Sequence, residues 1–125
     1  MANVVVVEND PDIGPLLEQL LLLEGHRAVL VMDPQQALAT VRAQQPDLVY
    51  LDVRLAAGLD GFGILEQIRS ESQVPVLMCS GLDLEPKCLA AGANAFLLKP
   101  FDFADLLASV SEALGTSRLA DPRES

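Results

Sequence analysis

The 125-residue chain contains no tryptophan, one tyrosine, one histidine, two cysteines and only 8 Lys or Arg residues. No apolar run approaches the ~20 residues of a membrane-spanning helix. The first residues lack a basic segment followed by an apolar stretch, so we expect a cytoplasmic protein that is not exported. Cys79 and Cys88 lie in or beside apolar stretches without a histidine nearby. This favours buried, reduced thiols over a disulfide or a redox site.

Acidic residues outnumber basic residues by 18 to 8, which gives a net charge of −10. Such a surface repels nucleic acid and anionic membranes, so we expect neither to be a partner of this domain. Half of the residues are hydrophobic and 21% are charged, which is typical of a globular chain. The length is that of one domain with one core.

Five short apolar runs alternate with helical patterns along the chain. The runs are β-branched or leucine-rich, as in parallel strands covered on both faces, and occupy residues 4–7, 28–31, 48–51, 74–79 and 95–98. Hydrophobic residues at helical spacing separate them. This alternation predicts a doubly wound α/β sandwich with a parallel sheet in the order 2-1-3-4-5. We expect one domain over residues 1–115 and a polar tail or linker over residues 116–125.

Polar and conformationally special residues delimit the predicted helices. Asn9 or Asp10 can cap the first helix and Gly25 can end it. Asp33 precedes a proline at the start of the second helix, which predicts a cap there as well. Gly92 is expected to stop a short fourth helix near residues 85–91.

Reactive side chains follow four of the five apolar runs. Glu8 and Asn9 follow the first run, Asp52 the third, Ser80 the fourth and Lys99 the fifth. In open α/β sheets, ligands bind beyond the carboxyl ends of the strands, so these groups should meet. A carboxylate nucleophile, oxygen ligands for Mg²⁺, a hydroxyl donor and a lysine are the parts that hold a transferring phosphoryl group. Taken singly, each residue is more often a cap, a turn former or a surface group.

The chain resembles the receiver domain of bacterial two-component response regulators over roughly residues 3–115. The segments that carry the resemblance, by their order and spacing, are VVVVENDPDI, PDLVYLDVRLAAGLDGFGIL, VPVLMCSG and AGANAFLLKPF. The resemblance implies a flavodoxin-like (βα)5 fold and a signalling domain that is not an enzyme. It also implies a sensor histidine kinase or phosphotransfer protein as the donor and an output domain or protein downstream. Whether the chain forms a homodimer is left open by the sequence.

The resemblance also implies an acceptor and a metal site. Asp52 matches the phospho-accepting aspartate. Glu8 and Asn9 match the acidic pair that helps to bind Mg²⁺ beside the acceptor. The family's metal also takes a backbone carbonyl two residues after the acceptor, which here is that of Arg54.

Three further positions match the family's switch. Ser80 matches the hydroxyl residue that turns toward the phosphoryl group, and Lys99 matches the lysine before a proline. Phe96 matches the aromatic residue whose rotamer accompanies the change. From the sequence pattern alone, Phe96 is a strand residue, and core packing is an equal alternative for its main role.

Asn9 is the main departure from the family, which usually has an acid at that position. An amide offers a carbonyl oxygen but no charge, so we expect weaker Mg²⁺ binding. Asp10 should point to the other face of the strand, so the longer Glu8 is the better candidate to compensate. The loop is a second departure, since Ala56, Ala57 and Gly58 stand where a proline and a shorter loop are common.

Two other interpretations remain at this stage. Asn9 motivates the first, a receiver-like interaction module that does not depend on phosphate. The second is an enzyme of the same architecture. A flavin protein would need a phosphate-cradling loop and stacking aromatics, which the chain lacks. A phosphohydrolase would need a second acid two residues after its nucleophile, where Arg54 stands.

Overall fold

Five parallel strands form one sheet in the order β2-β1-β3-β4-β5, as the sequence predicts. The computed structural model describes residues 2–55 and 60–119. The strands are β1 (Asn3–Val7), β2 (Arg27–Val31), β3 (Leu48–Asp52), β4 (Val76–Ser80) and β5 (Ala95–Leu98). β4 begins two residues later than the apolar run at 74–79, because Pro75 has no N–H to donate to the sheet. The carbonyl of Pro75 still accepts a hydrogen bond from the backbone N–H of Val49 at 2.9 Å.

Helices connect the strands on both faces of the sheet. They are α1 (Ile13–Leu23), α2 (Ala37–Gln44), α3 (Gly61–Arg69), α4 (Glu85–Ala90) and α5 (Phe103–Leu119). A 3-10 turn, Pro34–Gln36, leads into α2. Helix α5 continues past residue 115, and the domain boundary proposed there stays a prediction. In the part of the chain that the structure describes, no helix has the length and apolar character needed to cross a membrane.

The predicted caps take their places at the helix ends. Asp10 is the residue that caps α1, since its Oδ1 accepts two backbone N–H bonds at 2.8 and 3.1 Å. Asp33 Oδ1 accepts a backbone N–H at 3.0 Å at the start of the 3-10 turn. Gly25 follows α1 with a φ of +85° and Gly92 follows α4 with a φ of +112°. Both backbone conformations favour glycine, so these residues end the helices as expected.

Successive side chains of each strand enter two separate hydrophobic layers. Val4 and Val6 face α1 and α5, whereas Val5 and Val7 face α2, α3 and α4. This arrangement explains why the strands show no polar alternation. Cys79 lies in the first layer and is free and buried, and burial raises its pKa to about 12. Cys88 is also free and buried, so the prediction that both thiols are buried is confirmed.

Arg69 joins α3 to the two segments that precede β4 and β5. Its Nε and Nη2 donate to the carbonyl of Gly92 at 3.0 and 2.9 Å, and Nη2 also donates to Asn94 Oδ1 at 2.9 Å. Its Nη1 donates to the carbonyls of Ser72 and Val74 at 3.3 and 2.7 Å. The guanidinium thus ties the end of α3 to the turn before β5. This contact lies at the amino ends of the strands, opposite the carboxyl ends that carry Asp52 and Lys99.

We expect Arg69→Ala to lower the free energy of unfolding by about 3 kcal/mol, because it removes a charged donor from half-buried carbonyls. Arg42→Ala is the control, since Arg42 makes an exposed ion pair with Glu71 at 2.6 Å. Exposed pairs contribute little, so this variant should stay close to the parent protein. Urea unfolding of both variants measures the difference. Equal losses would contradict the importance given to the Arg69 network.

Candidate functional site

The carboxyl ends of β1, β3 and β5 bring three predicted side chains together. Lys99 Nζ donates a hydrogen bond to Glu8 Oε2 at 3.0 Å and another to Asp52 Oδ2. Glu8 is 2% exposed and Asp52 is 5% exposed, so both carboxylates are withdrawn from solvent. One ammonium group therefore serves two buried carboxylates, which is a compact, partly neutralised anionic site.

The backbone after β3 fixes Asp52 from its other side. Asp52 Oδ1 accepts the backbone N–H of Arg54 at 3.0 Å. The N–H of Gly61 donates to the carbonyl of Val53 at 2.7 Å. A Cβ on Gly61 would lie 2.2 Å from the carbonyl oxygen of Asp52, so only glycine fits this approach. The sequence pattern gives no signal of this contact.

The intervening loop includes the predicted departure at Ala56, Ala57 and Gly58. These three residues lie outside the described part of the chain. On the helical side of the loop, Asp60 Oδ1 accepts the backbone N–H of Gly63 at 2.9 Å and caps α3. This cap fixes the start of α3, and the hydrogen bond from Gly61 joins that start to the backbone of Val53.

Burial and charge shift the pKa values of the paired groups. Burial, together with the neighbouring Asp52 carboxylate, raises the pKa of Glu8 from 4.5 to about 7, although Lys99 opposes this shift. Burial alone would lower the pKa of Lys99, but its hydrogen bonds to Asp52 and Glu8 outweigh that effect and raise it. The site consequently favours a second positive charge beside the carboxylates.

The raised pKa of Glu8 makes stability depend on pH in a defined window. Since the unfolded chain releases the Glu8 proton near pH 4.5 and the folded chain near pH 7, stability falls as pH rises between these values. We expect Glu8→Gln to remove this loss, which is about 3 kcal/mol by pH ~8. Urea unfolding of both proteins across this range, in metal-free buffer, tests the effect. Parallel pH profiles would contradict it.

Ser80 lies at the end of β4 and is 3% exposed. Its Oγ accepts the backbone N–H of Leu82 at 3.0 Å, and its carbonyl accepts the backbone N–H of Lys99 at 2.8 Å. The hydroxyl is thus placed at the same sheet edge as Asp52, but its described hydrogen bond is to its own loop. The hydroxyl hydrogen remains able to donate to an anionic oxygen.

Phe96 is half-buried and packs in the layer that includes α3 and α4. Phe96 therefore contributes to core packing, which the sequence offered as one of two alternatives for its role. Leu84 also packs into this layer, whereas Leu82 is 52% exposed. The face near α4 and β5 thus contains both a packed aromatic residue and exposed leucine.

The oxygen donors near Asp52 fit a hard cation such as Mg²⁺, with one acid fewer than the resemblance implies. Glu8 and Asp52 provide carboxylates that share the Lys99 ammonium, and the sequence adds an amide oxygen at Asn9 and a backbone carbonyl at Arg54 as further candidates. Asp10 does not replace the missing acid, because its carboxylate caps α1. Within residues 2–55 and 60–119, no three His, Cys, Asp or Glu side chains form a metal-binding group. Any cation must therefore rely on neutral oxygens as well.

Known proteins resemble this chain in sequence over most of its length. The chain matches the family model described as "Response regulator receiver domain" over residues 4–111. It is 35% identical to the nitrogen assimilation regulatory protein NtrX of Azorhizobium caulinodans, over 94% of this chain and 27% of that protein. It is 36% identical to the transcriptional regulatory protein PcoR of Escherichia coli, over 94% of this chain and 54% of that protein. The chain thus spans from about a quarter to half of the length of these relatives.

Solved structures show the same fold. NtrX from Brucella abortus, in complex with ADP, has a TM-score of 0.86 and 32% identity over 94% of this chain and 28% of that chain. The BeF3-activated receiver domain of RstA from Klebsiella pneumoniae has a TM-score of 0.82 and 30% identity, over 90% of this chain and 97% of that chain. The match over residues 4–111 covers most of the sequence. The chain belongs to the response regulator receiver domain family.

Proposed function

We propose that Asp52 accepts a phosphoryl group and that its phosphorylation is the signal this domain transmits. One observation carries the proposal. The Asp52 carboxylate is buried and held between the backbone N–H of Arg54 and the ammonium of Lys99. A carboxylate so held, beside a cation that can neutralise incoming charge, supports a role for Asp52 as the nucleophile in phosphoryl transfer.

The transfer follows from these groups. An Asp52 carboxylate oxygen forms the new bond to phosphorus while the bond to the donor breaks. With a phosphohistidine donor, that electron pair stays on the imidazole nitrogen, which then takes up a proton. Mg²⁺ held by the oxygens of Glu8, Asn9, Asp52 and Arg54 would offset charge on the phosphoryl oxygens. Lys99 supplies the remaining positive charge.

The switch would pass through Ser80 and Phe96. A phosphoryl group on Asp52 gives the Ser80 hydroxyl and the Lys99 ammonium a new anionic partner. Movement of the Ser80 loop would change the packing of Phe96 and the face formed by α4, β5 and α5. In the cell, we place the domain in the cytoplasm between a sensor histidine kinase or phosphotransfer protein and an output domain or protein. It acts as a signalling domain and not as an enzyme with turnover.

Beryllofluoride, which mimics a phosphoryl group, tests the site and the switch together. With Mg²⁺ present, backbone amide NMR signals at Ser80, Leu82 and Phe96 should shift in the parent protein. They should not shift in Asp52→Asn, which keeps the side-chain shape but removes the anionic ligand. No shift in the parent protein, or equal shifts in both proteins, would count against the proposal.

Restoring the acid at position 9 tests the metal part of the proposal. We expect Asn9→Asp to tighten Mg²⁺ binding by roughly tenfold, since a carboxylate adds charge to an oxygen ligand set. Without Mg²⁺, the same variant should be less stable, because a third acid joins two that already share Lys99. Calorimetric titration and urea unfolding measure the two effects. Unchanged Mg²⁺ affinity would remove Asn9 from the ligand set.

A further inference from the structure

Tyr50 is the one tyrosine of the chain, and it lies on β3 two residues before Asp52. It is 2% exposed and packs in the layer between the sheet and helices α1 and α5. Among the described residues, its hydroxyl is the one fully buried side-chain polar atom without a hydrogen-bond partner. Leaving a buried donor unpaired costs stability, so its presence here favours a partner in another state of the site.

The strand register places the Tyr50 side chain next to the buried carboxylates. Tyr50 pairs with Val6, so Asp52 and Glu8 follow this pair by two residues on the same face of the sheet. At ~3.3 Å per residue, the offset is roughly 7 Å, which a phenol side chain can span. Burial raises the pKa of Tyr50 most, and the neighbouring Cys79 thiol adds to this effect. The Glu8 carboxylate raises it further, and by more than Asp52 does, so the hydroxyl lies toward Glu8.

The Cys79 thiol does not satisfy this hydroxyl. Cys79 pairs with Asp52 across β3 and β4 and belongs to the same layer as Tyr50. The thiol and the phenol interact, but their contact lacks the geometry of a hydrogen bond. A thiol is also a weak acceptor. The phenol O–H therefore remains free to donate to a stronger acceptor.

One carboxylate oxygen of Glu8 depends on Lys99. Glu8 Oε1 accepts the backbone N–H of Asp10 at 3.1 Å, whereas Oε2 accepts Lys99 Nζ at 3.0 Å. Under the proposed function, Lys99 gains a phosphoryl group on Asp52 as its partner, and Glu8 Oε2 then loses a donor. A carboxylate oxygen offers two acceptor positions, so Oε2 can take a new donor even where it also binds a metal.

We propose that Tyr50 is a positioning residue of the phosphorylation site, whose hydroxyl donates to Glu8 Oε2 once Lys99 turns toward the phosphoryl group. The inference rests on the proposed function and extends the site to a residue of the core. The phenol is unpaired in the resting site and paired in the phosphorylated site, so it favours the phosphorylated state. It holds the Glu8 carboxylate in place while Lys99 is engaged elsewhere.

The tyrosine absorption band gives a direct signature, because the chain has one tyrosine and no tryptophan. A phenol that donates to a carboxylate absorbs at longer wavelength. Beryllofluoride with Mg²⁺ should therefore shift the band to longer wavelength in the parent protein. The shift should persist in Cys79→Ala, because the thiol is not the acceptor. It should be absent in Asp52→Asn, which lacks the anionic ligand for beryllofluoride.

Tyr50→Phe removes the hydroxyl and keeps the ring. Without ligand, the variant should unfold at the same or a higher urea concentration than the parent, because the lost hydroxyl is unpaired in the resting site. It should bind beryllofluoride with Mg²⁺ roughly tenfold more weakly, since the bound site loses a hydrogen bond to a charged group. Ser109→Ala is the matched control, because it removes another buried hydroxyl, on α5, and should keep the affinity. Titration followed by amide NMR measures both affinities.

The outcomes separate this inference from the proposed function. If the parent binds beryllofluoride without a shift to longer wavelength, or with a shift that requires Cys79, the role of Tyr50 alone is overturned. It is also overturned if Tyr50→Phe binds as tightly as the parent, if that variant is less stable without ligand, or if Ser109→Ala loses affinity equally. A parent protein that does not bind beryllofluoride rejects the proposed function, and this inference with it.

Discussion

Replacing Lys99 with methionine is expected to lower the free energy of unfolding by about 3 kcal/mol at neutral pH without Mg²⁺. Methionine keeps most of the side-chain length but leaves the buried Glu8 and Asp52 carboxylates without their shared cation. Removing one partner of a buried charge cluster commonly costs ~3–5 kcal/mol. The lower end applies because the Lys99 side chain is still 22% exposed. Urea unfolding measures this loss.

Lys87→Met is the matched control, because the chain has only two lysines. The Lys87 ammonium lies 4.8 Å from the centre of the Phe62 ring on an exposed part of α4, so its loss should cost far less. Added Mg²⁺ should recover stability in Lys99→Met, since the metal can occupy the space beside carboxylates that the ammonium has left. Equal stability of the two lysine variants would show that Lys99 does not hold the site together.

Gly61→Ala is expected to lower the free energy of unfolding by about 3 kcal/mol and to slow phosphorylation of Asp52. The new Cβ would lie 2.2 Å from the carbonyl oxygen of Asp52, a contact that backbone atoms must move to relieve. The movement would disturb the segment from Asp52 to Arg54, and the Arg54 N–H holds the Asp52 carboxylate. Both the stability and the reactive geometry should therefore suffer.

Gly63→Ala separates this clash from the general effect of alanine in a helix. A Cβ on Gly63 would lie 3.7 Å from Asp60 Oδ1, which is an ordinary contact. Because alanine favours helix over glycine, this variant should gain about 0.5–1 kcal/mol. Urea unfolding and acetyl phosphate labelling of both variants give the comparison. Similar stability changes in the two variants would mean that the close approach at Gly61 has no consequence.

The fold was predictable from local sequence patterns, because each strand is an apolar run and the segments between the runs have hydrophobic residues at helical spacing. The sheet order and the caps at Asp10 and Asp33 were predictable, since parallel strands and capping carboxylates have local signatures. The start of β4 was predicted too early, because hydrophobicity extends through Val74 whereas sheet pairing depends on the N–H that Pro75 lacks. The hydrophobic pattern indicates which residues are buried, but pairing of strands also needs a backbone N–H donor.

The candidate site was predictable in its members but not in its pairings. Strand ends indicated that Glu8, Asp52 and Lys99 meet, because parallel strands end at one edge. That Lys99 bonds both carboxylates depends on strand register and side-chain length, which residue types alone do not specify. The close approach of Gly61 and the Arg69 network left no periodic signal. From the sequence alone, an arginine such as Arg69 in the last turn of a helix is expected to be an exposed charge at the helix end. Its partly buried role becomes clear only when the neighbouring carbonyls are known.

The most direct measurement is the mapping of the modified residue after incubation with acetyl phosphate and Mg²⁺. Intact-mass spectrometry followed by peptide analysis should find a single phosphoryl group on Asp52, and Asp52→Asn should take up none. Incorporation should fall when Mg²⁺ is chelated. A parent protein that takes up no phosphoryl group, or takes it up at another residue, would contradict the assignment of Asp52 as the phosphoacceptor.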